Sequence, residues 1–137
     1  MEKGNVLNLK LKMLKLIILL FMLLETCDFG KERISPSDIR VEVLNATGEL
    51  HLARIISMEL RRNGFDVIRF SNADDTLSKT VIIERKSPDK KYAKILANVI
   101  GVNRIDFEPD PQRICEVTLI IGKDYKKVFK NNLFLWK

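Results

Sequence analysis

The chain has 137 residues, room for one domain. Its formal charge is +6, from 24 Lys/Arg against 18 Asp/Glu, yet residues 34–122 carry 13 of each sign. The basic excess therefore sits at the two ends. A neutral core offers no support for a nucleic-acid face, and a single His with two separated Cys leaves no spacing suited to a metal.

Residues 1–26 read as a targeting segment. Lys3, Lys10, Lys12 and Lys15 precede or interrupt the apolar stretch that ends in LIILLFMLL, nine apolar residues from Leu16 to Leu24. A spanning helix needs about 17–25 such residues, whereas the apolar part of an export signal needs about 7–15. The segment is expected to direct export. Leu24-Glu25-Thr26-Cys27 is similar to the lipobox of bacterial lipoproteins, although Glu25 and Thr26 stand where small uncharged residues are usual. Two outcomes fit: lipidation of Cys27, or retention of the segment as an anchor. Residues 27–38 form a short polar linker.

The most informative stretch runs from Arg40 to Phe70. Ile39, Val41 and Val43 alternate with Arg40 and Glu42, the period of a strand with one covered face. Asn45-Ala46-Thr47-Gly48 breaks the run with turn formers, and Thr47 is placed to cap a helix. Leu52, Ile56 and Leu60 then recur every four residues, with Ala53 and Ile55 widening the stripe and Arg54, Glu59, Arg61 and Arg62 falling away from it. Asn63-Gly64 stops the helix, and Phe65–Phe70 is the next strand. Strand, helix and strand with short loops predict a parallel βαβ unit.

Residues 71–79 read as a polar connection. Thr80–Glu84 is a β-branched run suited to an inner strand. Ser87 and Pro88 are placed to start a second helix, whose stripe is Tyr92, Ala93, Leu96 and Val99 with Ile95 and Ile100. Gly101 stops it and Arg104–Phe107 is a fourth strand. After the loop 108–113, Ile114–Ile121 is the fifth, with Cys115, Val117, Leu119 and Ile121 on one face. The predicted architecture is α/β: a two-layer sandwich with a mixed sheet of about five strands and two helices, built as two consecutive βαβ-like units. The domain is expected over 39–125, followed by a basic, aromatic tail over 126–137. That tail has three open placements: packed on the domain, at a membrane interface, or loose.

The order VEVLNATG (41–48), Leu52-Ala53, GFDV (64–67), TVII (80–83), YAKILANVIG (92–101) and VTLIIGKDY (117–125) resembles the LytR C-terminal domain, the accessory domain found behind LytR-CpsA-Psr catalytic domains. His51 departs from it, since the family usually has Gly before Leu-Ala. The resemblance implies an exported domain of the bacterial cell envelope, here as a stand-alone, non-catalytic copy. Its expected partner is cell-wall glycan or peptidoglycan, or alternatively an envelope protein, with a membrane tie through an N-terminal lipid or anchor and no nucleic acid.

The residues themselves offer no reaction. His51 falls in a first helical turn with no nucleophile elbow, NATG lacks the phosphate-loop pattern, and Asp74-Asp75 reads as a solvated run; neither a catalytic residue nor a cofactor is expected. The best site candidate is Asn45, Thr47 and Gly48, at the carboxyl end of a strand where open α/β sheets tend to bind ligands. Asp124 and Tyr125 in the Gly122–Tyr125 turn complete the candidate set, Tyr125 as a ring for a sugar to stack on.

Overall fold

The computed structural model describes residues 2–25, 30, 32–112 and 114–129. The chain divides into two compact units, 1–33 and 34–137. The first contains α1 (Glu2–Glu25), a single helix whose apolar side chains from Val6 to Leu23 are exposed. No helix among the described residues is long and apolar enough to cross a membrane. Lys10, Lys12 and Lys15 supply the physical reason, because they cut the apolar run short. Cys27 lies outside the described residues, as does the tail from 130 onward.

The second unit opens with one turn of 3-10 helix, Pro36–Asp38. It continues through β1 (Arg40–Asn45), α2 (Leu52–Arg62), β2 (Asp66–Asn72), β3 (Val81–Glu84), α3 (Lys91–Ile100), β4 (Ile105–Phe107), β5 (Val117–Ile121) and a one-turn α4 (Tyr125–Val128). The strands form one mixed sheet in the order β2-β1-β5-β3-β4. β1 is parallel to β2 and to β5, β3 is parallel to β4, and only the β3–β5 pair is antiparallel. Both βαβ units expected from the sequence are present. What joins them is the last strand, inserted between their first strands.

One face of the sheet is the core face. Val41, Val43, Ile82, Leu119 and Ile121 point into it and are buried together with Leu52, Ile56 and Leu60 of α2 and Tyr92, Ala93, Leu96 and Ile100 of α3. Fully burying a side chain of this size contributes about 1.5–3 kcal/mol, which is why the two stripes fix how the helices sit. Phe129, in the stretch assigned to the tail, is fully buried in the same core, so the start of that stretch packs on the domain.

Several local expectations are corrected. Ile55 is 46% exposed, because it lies about 100° around α2 from Ile56. Glu59 is buried instead, beside Leu52 on the stripe's margin and paired with Arg62 at 3.2 Å. Thr47 does not cap α2, which starts at Leu52 after His51 in the left-handed region at φ 63°. Ser87 and Pro88 precede α3 rather than starting it. The backbone at the start of α3 is received by Glu84 on β3, fully buried, whose Oε2 accepts from Ala93 N at 2.9 Å and Oε1 from Ser87 N at 3.1 Å. Cys115 is buried but precedes β5, and its sulfur lies 3.7 Å from Thr118 Oγ1, on the side away from the core face. Burial pushes its thiol pKa up.

Candidate functional site

Because β1, β2 and β5 are mutually parallel, their carboxyl ends share one edge of the sheet. The two turns singled out in the sequence leave that edge side by side, with Ala46 N donating to Ile121 O at 2.9 Å. Asn45 organises the first turn. Its Oδ1 accepts from Thr47 N at 3.1 Å and from Thr47 Oγ1 at 2.7 Å, while its Nδ2 donates to Glu49 O at 2.6 Å. Thr47 Oγ1 in turn accepts from Glu49 N at 2.9 Å. Gly48 takes φ 84°, a conformation open to glycine at little cost. The residues that make NATG look like a binding loop therefore hold one another.

Asp124 and Tyr125 come to the same edge from the β5 side. Asp124 Oδ1 accepts from Thr80 N at 2.7 Å and from Thr80 Oγ1 at 2.8 Å, so it anchors the entry to β3. Tyr125 is 2% exposed and donates its hydroxyl to Glu49 Oε2 at 2.5 Å. Burial, with the Glu49 carboxylate adding to it, pushes the Tyr125 pKa up to about 12. Its ring is packed in the core and presents no face for a sugar to stack on. Glu49, whose charge suits the amino end of a helix in the sequence, instead links the two turns.

The stretch 73–79, read as a plain connection, is laid across this edge. Ala73 N donates to Asn45 O and Leu77 N to Ala46 O, both at 2.9 Å, and Lys123 N donates to Leu77 O at 2.9 Å. Gly122 is where that stretch comes closest: a Cβ there would meet the Lys79 carbonyl carbon at 2.3 Å. The chain thus fills most of the crevice that an open parallel edge would leave. What remains is a hollow of about 160 Å³ lined by Asn45, Gly48, Leu50, Asn72, Asp74 and Asp75, among others. Asn72 Oδ1 reaches Asn45 Nδ2 at 3.3 Å, and Leu50 at the rim is 82% exposed. Asn72 and Asp74 carry no motif. Only the register of β2 against β1, with Asn45 opposite Asn72, brings them to the site.

Among the described residues no group of three or more His, Cys, Asp or Glu is arranged to hold a metal ion. His51 is exposed at the start of α2.

A small α/β domain with a mixed sheet, helices on its core face and a largely self-filled carboxyl edge is the class these features define. Residues 38–125 match the family model described as LytR cell envelope-related transcriptional attenuator, and the chain belongs to this family. The family is a cell-envelope one, and it is the family to which the ordered sequence motifs point. No curated protein and no solved structure matches the chain.

Proposed function

We propose that the chain is a non-catalytic accessory module of the bacterial cell envelope, and that the carboxyl-edge hollow takes a sugar unit of the wall glycan. The supporting observation is the make-up of that hollow. Asn72, Asp74 and Asp75 supply planar polar groups suited to hydroxyls, and exposed Leu50 supplies an apolar rim suited to the C–H face of a sugar ring. The absence of catalysis is inferred from the way the groups at this edge are used. Thr47 is engaged by Asn45, Tyr125 by Glu49 and Asp124 by Thr80. Tethering to the membrane through Cys27 or the segment before it completes the reading, and loss of a fatty-acid label in Cys27→Ala tests the lipid form of it.

Sedimentation of the full chain with purified cell-wall sacculi tests the glycan reading. The wild-type chain is expected to sediment, and Asn72→Ala with Asp74→Ala to release it. A chain that stays in the supernatant overturns the reading. A second reading, a protein partner, is favoured by β2, an edge strand that exposes Ile68 at 40% and Phe70 at 41%. Retention on envelope fractions after the glycan has been digested would select it.

A further inference from the structure

The sheet face opposite the core holds a separate hollow of about 330 Å³ beside the loop that follows β4. Its floor is a continuous chain of polar side chains. Arg69 Nε donates to Glu42 Oε1 at 2.7 Å, Thr118 Oγ1 to Glu42 Oε2 at 3.3 Å, and Arg85 Nε to Thr118 Oγ1 at 3.1 Å. Arg85 Nη1 then donates to Glu108 Oε2 at 3.1 Å. Thr118 is fully buried, and the side chains of Glu42 and Arg85 are only 13% and 20% exposed. The outer partners differ: Arg69 and Glu108 are 66% and 70% exposed, so their heads stand at the mouth. Apolar side chains, Ile68 and Ile114 with Pro109 and Pro111, line the rest. Asp110 also borders the hollow, but its carboxylate accepts from Gln112 N at 2.9 Å and Ile114 N at 3.0 Å and shapes the loop.

We propose that this hollow binds a small zwitterion of the amino-acid or dipeptide class carrying an apolar side chain. Two guanidinium groups and two carboxylates alternate along the floor. With the Asp110 carboxylate at the border as well, a ligand of one sign would be attracted by some of these groups and repelled by the rest, whereas a ligand with both an ammonium and a carboxylate finds a partner for each. A guanidinium presents paired donors that match a carboxylate. Arg69 and Glu108 are mostly exposed and can turn toward a ligand, since Glu42 and Arg85 each keep a hydrogen bond to buried Thr118 when they do. The isoleucine and proline walls give the apolar side chain a place out of water. The volume lies at the low end of the roughly 300–1,000 Å³ of small-molecule sites, which fits one or two residues rather than a folded partner. The site lies on the open face of the sheet and does not depend on the glycan reading of the carboxyl edge.

Calorimetric titration of the full chain with leucyl-alanine is the test, alongside the same dipeptide acetylated at its amine and amidated at its carboxyl. Saturable binding of the free dipeptide is expected. The blocked form should bind about tenfold more weakly, having lost its charge-assisted hydrogen bonds. Arg69→Gln and Glu108→Gln, both at the exposed mouth, should each weaken the free dipeptide while the circular dichroism of the fold is unchanged. Absence of saturable binding, or equal affinity for free and blocked dipeptide, overturns the proposal. The comparison of the two dipeptides uses the unaltered chain and decides the matter even where a variant fails to fold.

Discussion

The Tyr125 hydroxyl donates to the Glu49 carboxylate at 2.5 Å and ties the turn after β5 to the loop after β1, residues 76 apart in the chain. Tyr125→Phe keeps the buried ring and removes this bond. It should cost about 1–2 kcal/mol at neutral pH, toward the lower part of the range for bonds to charged groups because Glu49 is solvent-exposed. The pH dependence carries its own signature. Folding holds the phenol proton more tightly, raising its pKa from 10.0 to about 12. Stability from this group is therefore complete below pH 10 and lost as the pH rises toward 12. Denaturant titrations should show that alkaline loss in the wild-type chain and a flatter curve in Tyr125→Phe.

Gly122 has no space for a side chain, since an added Cβ would press on the backbone of Lys79 and Thr80. Backbone cannot swing aside as a flexible side chain would. Gly122→Ala should destabilise the domain by about 1–3 kcal/mol, the usual cost of overpacking. It should also speed amide hydrogen exchange at Leu77 and Thr80, whose hydrogen bonds hold the connection against this edge. Unchanged exchange there would contradict the close fit.

His51 sits at φ 63°, where a Cβ costs about 1–2 kcal/mol. Glycine escapes that cost, although it adds roughly 0.5–1 kcal/mol of chain entropy to the unfolded state. His51→Gly is expected to stabilise the domain by roughly 0.5–1 kcal/mol, read as a higher urea midpoint with an unchanged slope. A fall in the midpoint would show that the imidazole makes a favourable contact at the start of α2.

Glu116 locks the start of β1 to the residue before β5. It accepts from Arg40 N at 2.9 Å, from Arg40 Nε at 3.1 Å and from Arg40 Nη2 at 2.9 Å, with Lys86 Nζ at 3.5 Å. Burial by itself would raise the carboxyl pKa, but the bonds from Arg40 and the two positive charges together hold it below its ordinary value. The sign follows: stability from Glu116 is complete above the ordinary value of 4.5 and lost as the pH falls through the lowered folded value. Glu116→Gln should cost about 1–3 kcal/mol at pH 7, and the gap to wild type should close in acid. An equal gap at both ends of the range would assign the loss to packing instead.

The elements with a strong local period were legible in the sequence. Leu52, Ile56 and Leu60 announce their face at a spacing of four, and Gly64 and Gly101 mark helix ends through conformations that other residues seldom adopt. Helix starts were not, because here the groups that receive the backbone are remote or absent. Glu84 serves α3 from the preceding strand, and α2 begins after His51 with no side-chain cap. The strand order was hidden for a related reason: nothing local to Val117–Ile121 says that it lies between β1 and β3. The candidate site was half legible. Asn45, Thr47, Gly48, Asp124 and Tyr125 do meet at one edge, but the bond from Tyr125 to Glu49, and the arrival of Asn72 and the overlying stretch 73–79, depend on pairings that span the sheet.

The position of β5 has a consequence for timing. The pairs β1–β2 and β3–β4 are hydrogen-bonded into one sheet through β5, the strand made last. A chain made only as far as Glu116 holds two separate βαβ units, each a parallel strand pair with one helix, and neither has the five-stranded sheet that covers the shared core. The sheet assembles only when the final strand arrives to stitch them together. A product stopped a few residues short of Val117 is therefore expected to lack the strand that joins its two halves.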